Sequence, residues 1–207
     1  VSITVEDLMA VQPVIPVIVI DDANDAEPLA EALVSAGLRV LEVTLRTEAA
    51  PEAMRRMARI PGAIVGAGTV LDTEQLAQAI DVGAQFIVTP GLSEAVVMAT
   101  PTAVPILPGV ATATELMMGL DLGLTRFKFF PAEQAGGVAM LNAFASPFGK
   151  VKFCPTGGIT PATAPTYLAL PNVACIGGGW LAPKKLMQAK DWAGINALAK
   201  EAAALKR

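Results

Sequence analysis

The sequence predicts an α/β fold, a parallel eight-stranded (β/α)8 barrel formed by a single domain over residues 1–207. Three observations point there. Short β-branched runs alternate with Ala/Leu/Glu-rich amphipathic stretches eight times along the 207 residues, at the compact end of the size range for such barrels. Hydrophobic residues make up 53% and charged residues only 16%, as expected of parallel strands covered on both faces. No GxGxxG turn follows the first strand candidate, which argues against the doubly wound open sheet. Neither a linker nor a composition break divides the chain.

The elements follow in order. VIPVIVI (14–20) is the first strand; it is too short to span a bilayer and contains proline. Nothing before it combines a basic region with a cleavable apolar stretch. AEPLAEALVSAG supplies a helix, and RVLEVTLR (39–46) the second strand. Here the two-residue alternation sorts Leu41, Val43 and Leu45 onto one face and Glu42, Thr44 and Arg46 onto the other. If the apolar face meets the helices, the polar face points into the barrel. AIVGAGTV (63–70) is the third strand, and TEQLAQAIDVG a helix stopped by glycine. QFIVTP (85–90) and AVPILPGV (103–110) are the fourth and fifth strands. ATELMMGLDLG is another helix ending in glycine, with Met117, Met118 and Gly119 read as helix packing. RFKFFP (126–131) repeats the polar alternation: Phe127 and Phe129 face one way, Arg126, Lys128 and Phe130 the other. KVKFCPTGG (150–158) and VACIGGGW (173–180) complete the count.

Composition removes several function classes. The chain has no histidine, so imidazole is absent as base, triad member or metal ligand. Its two cysteines, Cys154 and Cys175, sit in apolar runs and read as buried structural thiols, which fits a cytoplasmic compartment. A net charge of −4 argues against nucleic acid or an anionic membrane as partner. An anionic small molecule would have to be held by a few local cations and backbone amides.

A carboxylate and an ammonium group pointing into one lumen must serve each other or a ligand, because unpaired buried charge is costly. One possibility is structural, an ion pair bridging two strands. The other is chemical. A desolvated lysine amine attacks carbonyls, and the resulting iminium is an electron sink for breaking or making a carbon–carbon bond next to it. Lys128 fits that role, Glu42 is the available proton carrier, and Arg46 can fork onto a substrate carboxylate. CPTGGIT (154–160) and CIGGGW (175–180) end the seventh and eighth strands in glycines, where barrels often hold phosphate on backbone amides.

LEVTLRT (41–47), VGAGTVL (65–71), FIVTPG (86–91), LPGVAT (107–112), RFKFFPAE (126–133), FCPTGGI (153–159) and CIGGGW (175–180) resemble the 2-keto-3-deoxy-6-phosphogluconate (KDPG/KHG) aldolases. The likeness runs in order from about residue 8 to the C-terminal helix. It implies a homotrimeric, metal-free class I aldolase that cleaves the phosphorylated keto-deoxy sugar acid to pyruvate and glyceraldehyde 3-phosphate. The same resemblance assigns the Schiff base to Lys128, proton transfer to Glu42, and the pyruvate pocket to Arg46, Thr69, Pro90 and Phe130. Thr156, Gly157, Gly158, Gly177, Gly178 and Gly179 fall in the loops that receive hydroxyls and phosphate, with Trp180 packed beneath them and Glu133 as a helix-start residue. One departure stands out: relatives carry serine or threonine where this chain has Gly179. Loss of a hydrogen bond to a charged group, ~1.5–3 kcal/mol, implies phosphate preference blunted by roughly ten- to a hundredfold. That substitution fits a natural or an engineered variant open to non-phosphorylated aldehydes. Rival expectations are a phosphate-binding barrel of other chemistry, in which Lys128 acts by charge alone, and a trimeric scaffold with a reused pocket.

Overall fold

A computed structural model describes residues 3–207. Its strands are β1 (Val14–Ile18), β2 (Val40–Thr44), β3 (Ile64–Gly68), β4 (Ile87–Val88), β5 (Ile106–Leu107), β6 (Gly109–Val110), β7 (Arg126–Phe129), β8 (Lys152–Pro155) and β9 (Ile176–Gly178). All paired strands run parallel, in a six-stranded sheet ordered β5-β4-β3-β2-β1-β9 and a three-stranded sheet ordered β6-β7-β8. Parallel bridges Phe153↔Val173 and Thr156↔Gly177 lie between the segments of β8 and β9. The expected fifth strand is two short pieces, because Pro108 between them has no N–H to give a ladder. Its carbonyl still accepts from Lys128 N at 2.9 Å.

Helices follow the strands with local signals at their ends. α1 (Val5–Val11) opens on a capping box between Thr4 and Asp7, and α6 (Ala113–Asp121) on one between Thr112 and Glu115. α4 (Thr73–Asp81) starts at the Asp72 cap. The glycines expected to stop α4 and α6, Gly83 and Gly123, have φ of 86° and 78°. Among the described residues no helix is long and apolar enough to cross a membrane.

Side-chain alternation sorts the apolar residues into two separate layers. Leu41, Val43, Ile87, Phe127, Phe129, Phe153 and Ile176 pack outward with the helices. Ile15, Val40, Phe86, Val88, Leu107, Cys154 and Cys175 form a second cluster on the opposite faces, closed off by Leu8 and Met9 of α1. Phe129 is held edge-on by Phe144 and Phe153, with ring centroids 6.3 Å away in both cases. Both cysteines are free and buried, and the Cys175 thiol is pushed well above its ordinary range by its hydrogen bond with Cys154 and by desolvation. The expected packing of the Met-Met-Gly segment holds only for Gly119, which lies against the Phe127 ring; Met117 and Met118 are 61% and 49% exposed.

Buried Gln12 fixes the register of β1 and β2 at the α1 end. Its Nε2 donates to Val14 O (2.8 Å) and Val40 O (2.9 Å), while its Oε1 accepts from Arg39 N (2.6 Å) and Val40 N (2.9 Å). Leucine at this position would leave those backbone groups without partners. Gln12→Leu is expected to destabilise the chain by about 2–4 kcal/mol, read as a lower urea midpoint with an unchanged slope. An unaltered midpoint would show that the network does not hold the strands.

Candidate active site

β2 and β7 bring together groups 86 residues apart. Lys128 Nζ donates to Glu42 Oε1 at 3.0 Å, and the two side chains are only 5% and 4% exposed. Strand phase accounts for the meeting: Leu41 and Val43, like Phe127 and Phe129, occupy the outer layer, so the residues between them turn the other way. Room for the pair comes from β3. A Cβ at Gly68 would fall on the Glu42 carboxylate and lie 2.6 Å from its Cγ. Thr44, on the same face of β2, is satisfied by donating to Ile18 O at 2.9 Å. Arg126 is drawn to the other end of its strand by an ion pair with Glu6 of α1.

Lys128 opens into a cavity of about 280 Å³ that also involves Arg46, Phe130, Thr156, Gly157, Gly158, Gly177 and Gly179. The ammonium lies 5.3 Å from the centroid of the Phe130 ring. Arg46 is past the end of β2, in a turn closed by its own N–H to Thr44 O at 2.8 Å, and its Nε donates to Thr69 Oγ1 at 3.1 Å. Thr69 adopts φ 59°, a left-handed backbone that is strained for a β-branched residue by about 1–3 kcal/mol. Thr69 is therefore tied to the site through Arg46 and does not line the cavity itself.

The remaining expected residues divide between this cavity and its surroundings. Pro90 borders a neighbouring cavity of about 230 Å³ beside Val70 and Leu71. A side chain at Gly178 would run into Val14 and Trp180, so that glycine serves close packing. Trp180 forms part of the cavity wall. Gly157 and Gly158 have φ of 106° and 77°, a loop shape that L side chains rarely adopt. The loop is held by Ala132 N to Thr156 O (2.8 Å) and Glu133 N to Gly157 O (3.1 Å).

Glu133 does not start a helix, since α7 (Gly137–Ala145) begins four residues later. It accepts a 2.7 Å hydrogen bond from the buried Tyr167 hydroxyl, and its Cβ and Cγ stand where a side chain at Gly158 would go. Burial and this hydrogen bond push the Tyr167 phenol up from its ordinary range. The brace spans 34 residues and was not predicted from sequence; its one signal is the chain's single tyrosine. Among the described residues, no group of three or more His, Cys, Asp or Glu gathers to hold a metal ion.

The chain matches the family model described as "Aldolase: KDPG and KHG aldolase" over residues 5–198. It is 53% identical over 199 residues to the KHG/KDPG aldolase of Escherichia coli K12, covering 95% of this chain and 93% of that one. The crystal structure of the Zymomonas mobilis ZM4 2-keto-3-deoxy-6-phosphogluconate aldolase with 3-phosphoglycerate superimposes with a TM-score of 0.94 at 53% identity, covering 98% and 96% of the two chains. A Legionella pneumophila KDPG aldolase, with pyruvate captured as a covalent carbinolamine, superimposes with a TM-score of 0.93 at 44% identity over 96% and 98%.

The space left by Gly68 is open to a direct check. Gly68→Ala is expected to push the Glu42 carboxylate off Lys128 and to lower stability by about 1–3 kcal/mol through overpacking. A crystal structure of the variant that kept the 3.0 Å contact would refute this account of the third strand.

Proposed function

Because the chain belongs to the KDPG and KHG aldolase family, we propose that it is a class I pyruvate aldolase, a lyase working through an imine on Lys128. Its reaction is the reversible cleavage of 2-keto-3-deoxy-6-phosphogluconate to pyruvate and D-glyceraldehyde 3-phosphate, the Entner–Doudoroff step, with 4-hydroxy-2-oxoglutarate as a second substrate. One observation carries the chemistry: the buried 3.0 Å contact between Lys128 Nζ and Glu42, at the floor of a cavity that Arg46 and the glycine loops line.

Proton transfer along that contact leaves a neutral amine, which attacks the keto carbon of the substrate. The carbinolamine takes up a proton, loses water and becomes an iminium. The C3–C4 bond then breaks: its electron pair enters the iminium to give an enamine, and the C4 hydroxyl gives its proton to Glu42 as the aldehyde forms. Glu42 returns the proton to C3, and water hydrolyses the imine to pyruvate and free Lys128. Arg46, oriented by Thr69, pairs with the carboxylate of the keto acid, and Phe130 packs beside the imine. Thr156, Gly157, Gly158 and Gly177 take the hydroxyls and the phosphate. Pro90 and Gly178 contribute by shaping the adjoining loops. The iminium supplies the electron sink, so the cycle needs neither metal nor organic cofactor.

The fold extends this view. We take the two sheets as one closed (β/α)8 barrel in a single domain over 1–207, with β5 and β6 as one strand interrupted at Pro108. Support comes from the bridges between the segments of β8 and β9 and from the two apolar layers, inner and outer. A homotrimer has apolar surface available in Met98, Met117 and Met118, which are 72%, 61% and 49% exposed. The setting is the cytoplasm, and the partners are the keto acid, the phosphorylated aldehyde and further copies of the chain.

Borohydride reduction in the presence of pyruvate is expected to fix a stable adduct on Lys128, found by intact mass and peptide mapping and absent from Lys128→Ala. Unmodified protein would overturn the proposal. Phosphate discrimination is the second test. No atom lies within 4 Å of a Cβ at Gly179, so serine fits there without displacement. Gly179→Ser is expected to raise the preference for phosphorylated over unphosphorylated glyceraldehyde by roughly tenfold or more in kcat/KM. Equal ratios for the two proteins would exclude a missing hydroxyl as the cause of any weak preference.

A further inference from the structure

We infer that this site also takes acceptor aldehydes extended beyond a triose, whose hydroxylated or ammonium-bearing tails pass over Gly179 into a second cavity. The inference rests on the aldolase function proposed above and concerns the far end of the same site. Gly179 is the one lining residue shared by the 280 Å³ cavity of Lys128 and a larger one of about 410 Å³. A Cβ built on it meets nothing within 4 Å, whereas its neighbours are shut, Gly177 against Thr156 and Gly178 against Val14 and the Trp180 ring. Both spaces therefore border this one glycine, which has no side chain to stand between them.

The lining of the second cavity defines the tails it suits. Asp21, Asp22 and Asp25 face it, against a single lysine, Lys184, with Met187 adding an apolar stretch. Asp25 is paired with Lys190 at 3.2 Å, and Asp22 accepts from Asn24 N at 2.9 Å. Asp21 has no hydrogen-bond or ion-pair partner among the described residues. Three carboxylates against two ammonium groups, Lys184 and the Lys190 paired with Asp25, leave one negative charge in excess, which disfavours a phosphate or carboxylate tail and favours hydroxyls or a cation. The bond-forming step is unchanged: the enamine carbon joins the aldehyde carbon, and the new alkoxide takes its proton from Glu42.

The test is aldol addition of pyruvate to a homologous series of ω-hydroxy-, ω-ammonio- and ω-carboxylato-aldehydes. It compares the wild type, Gly179→Val and Asp21→Lys by the ratio of kcat/KM for long tails to that for short tails within each protein. In the wild type this ratio is expected to rise with length for hydroxyl and ammonium tails only. Gly179→Val is expected to lower it by roughly tenfold or more, and Asp21→Lys to reverse the order of ammonium and carboxylate tails. A flat series in the wild type, or equal loss of short and long acceptors in Gly179→Val, overturns the inference. Borohydride trapping run in parallel separates the failures. A pyruvate adduct with a flat series defeats only the second cavity, whereas no adduct defeats the aldolase assignment and this inference with it.

Discussion

A buried carboxylate and a buried ammonium, one from each sheet and facing each other, set the terms for everything around them. Taking both out of water costs several kcal/mol per ion, and only close contact with a well-fitted surrounding offsets it. The contact is made at 3.0 Å, and the surrounding is supplied by strands with little in common locally. β2 and β7 present the charges, while β3 withdraws its side chains at Gly66 and Gly68 to make room for Phe86 and Glu42. An intact pair is inert, a salt bridge in an apolar wall. In the reaction proposed for it, moving one proton along the contact turns the same two groups into a nucleophile and an acid.

Strand phase was legible in the sequence because a strand alternates every two residues whatever its neighbours do. RVLEVTLR and RFKFFP each placed charge on one face and bulk on the other, and the outer layer holds Leu41, Val43, Phe127 and Phe129 as that alternation requires. The same rule does not by itself account for strand ends. Arg46 continues the alternation on paper, yet its backbone has already turned, and its position comes from bonds to Thr44 and Thr69. The fifth strand looked continuous because proline and glycine are small interruptions in a hydrophobic run; in the ladder Pro108 breaks it.

Contacts across long sequence distances were the least legible. Nothing near Glu133 announces Tyr167, and a helix dipole was a sufficient local explanation for an acid after proline. The alternating glycines of VGAGTV carried a signal that strand propensity obscured. Gly66 and Gly68 are two residues apart, so they share a face, and that face is where Phe86 and Glu42 need volume. Exposed Met117 and Met118 show the converse: helical spacing marks a face as apolar without saying whether this chain or another copy covers it.

Thr69 has a consequence for how such a protein can drift. Its left-handed backbone, at φ 59°, is one that glycine would hold without strain. Random change filtered only for sturdiness would therefore favour erasing that threonine, and with it the oxygen that receives Arg46 Nε. Its persistence would mark selection for the aim of a guanidinium over the comfort of the chain, a balance between durability and grip at one residue.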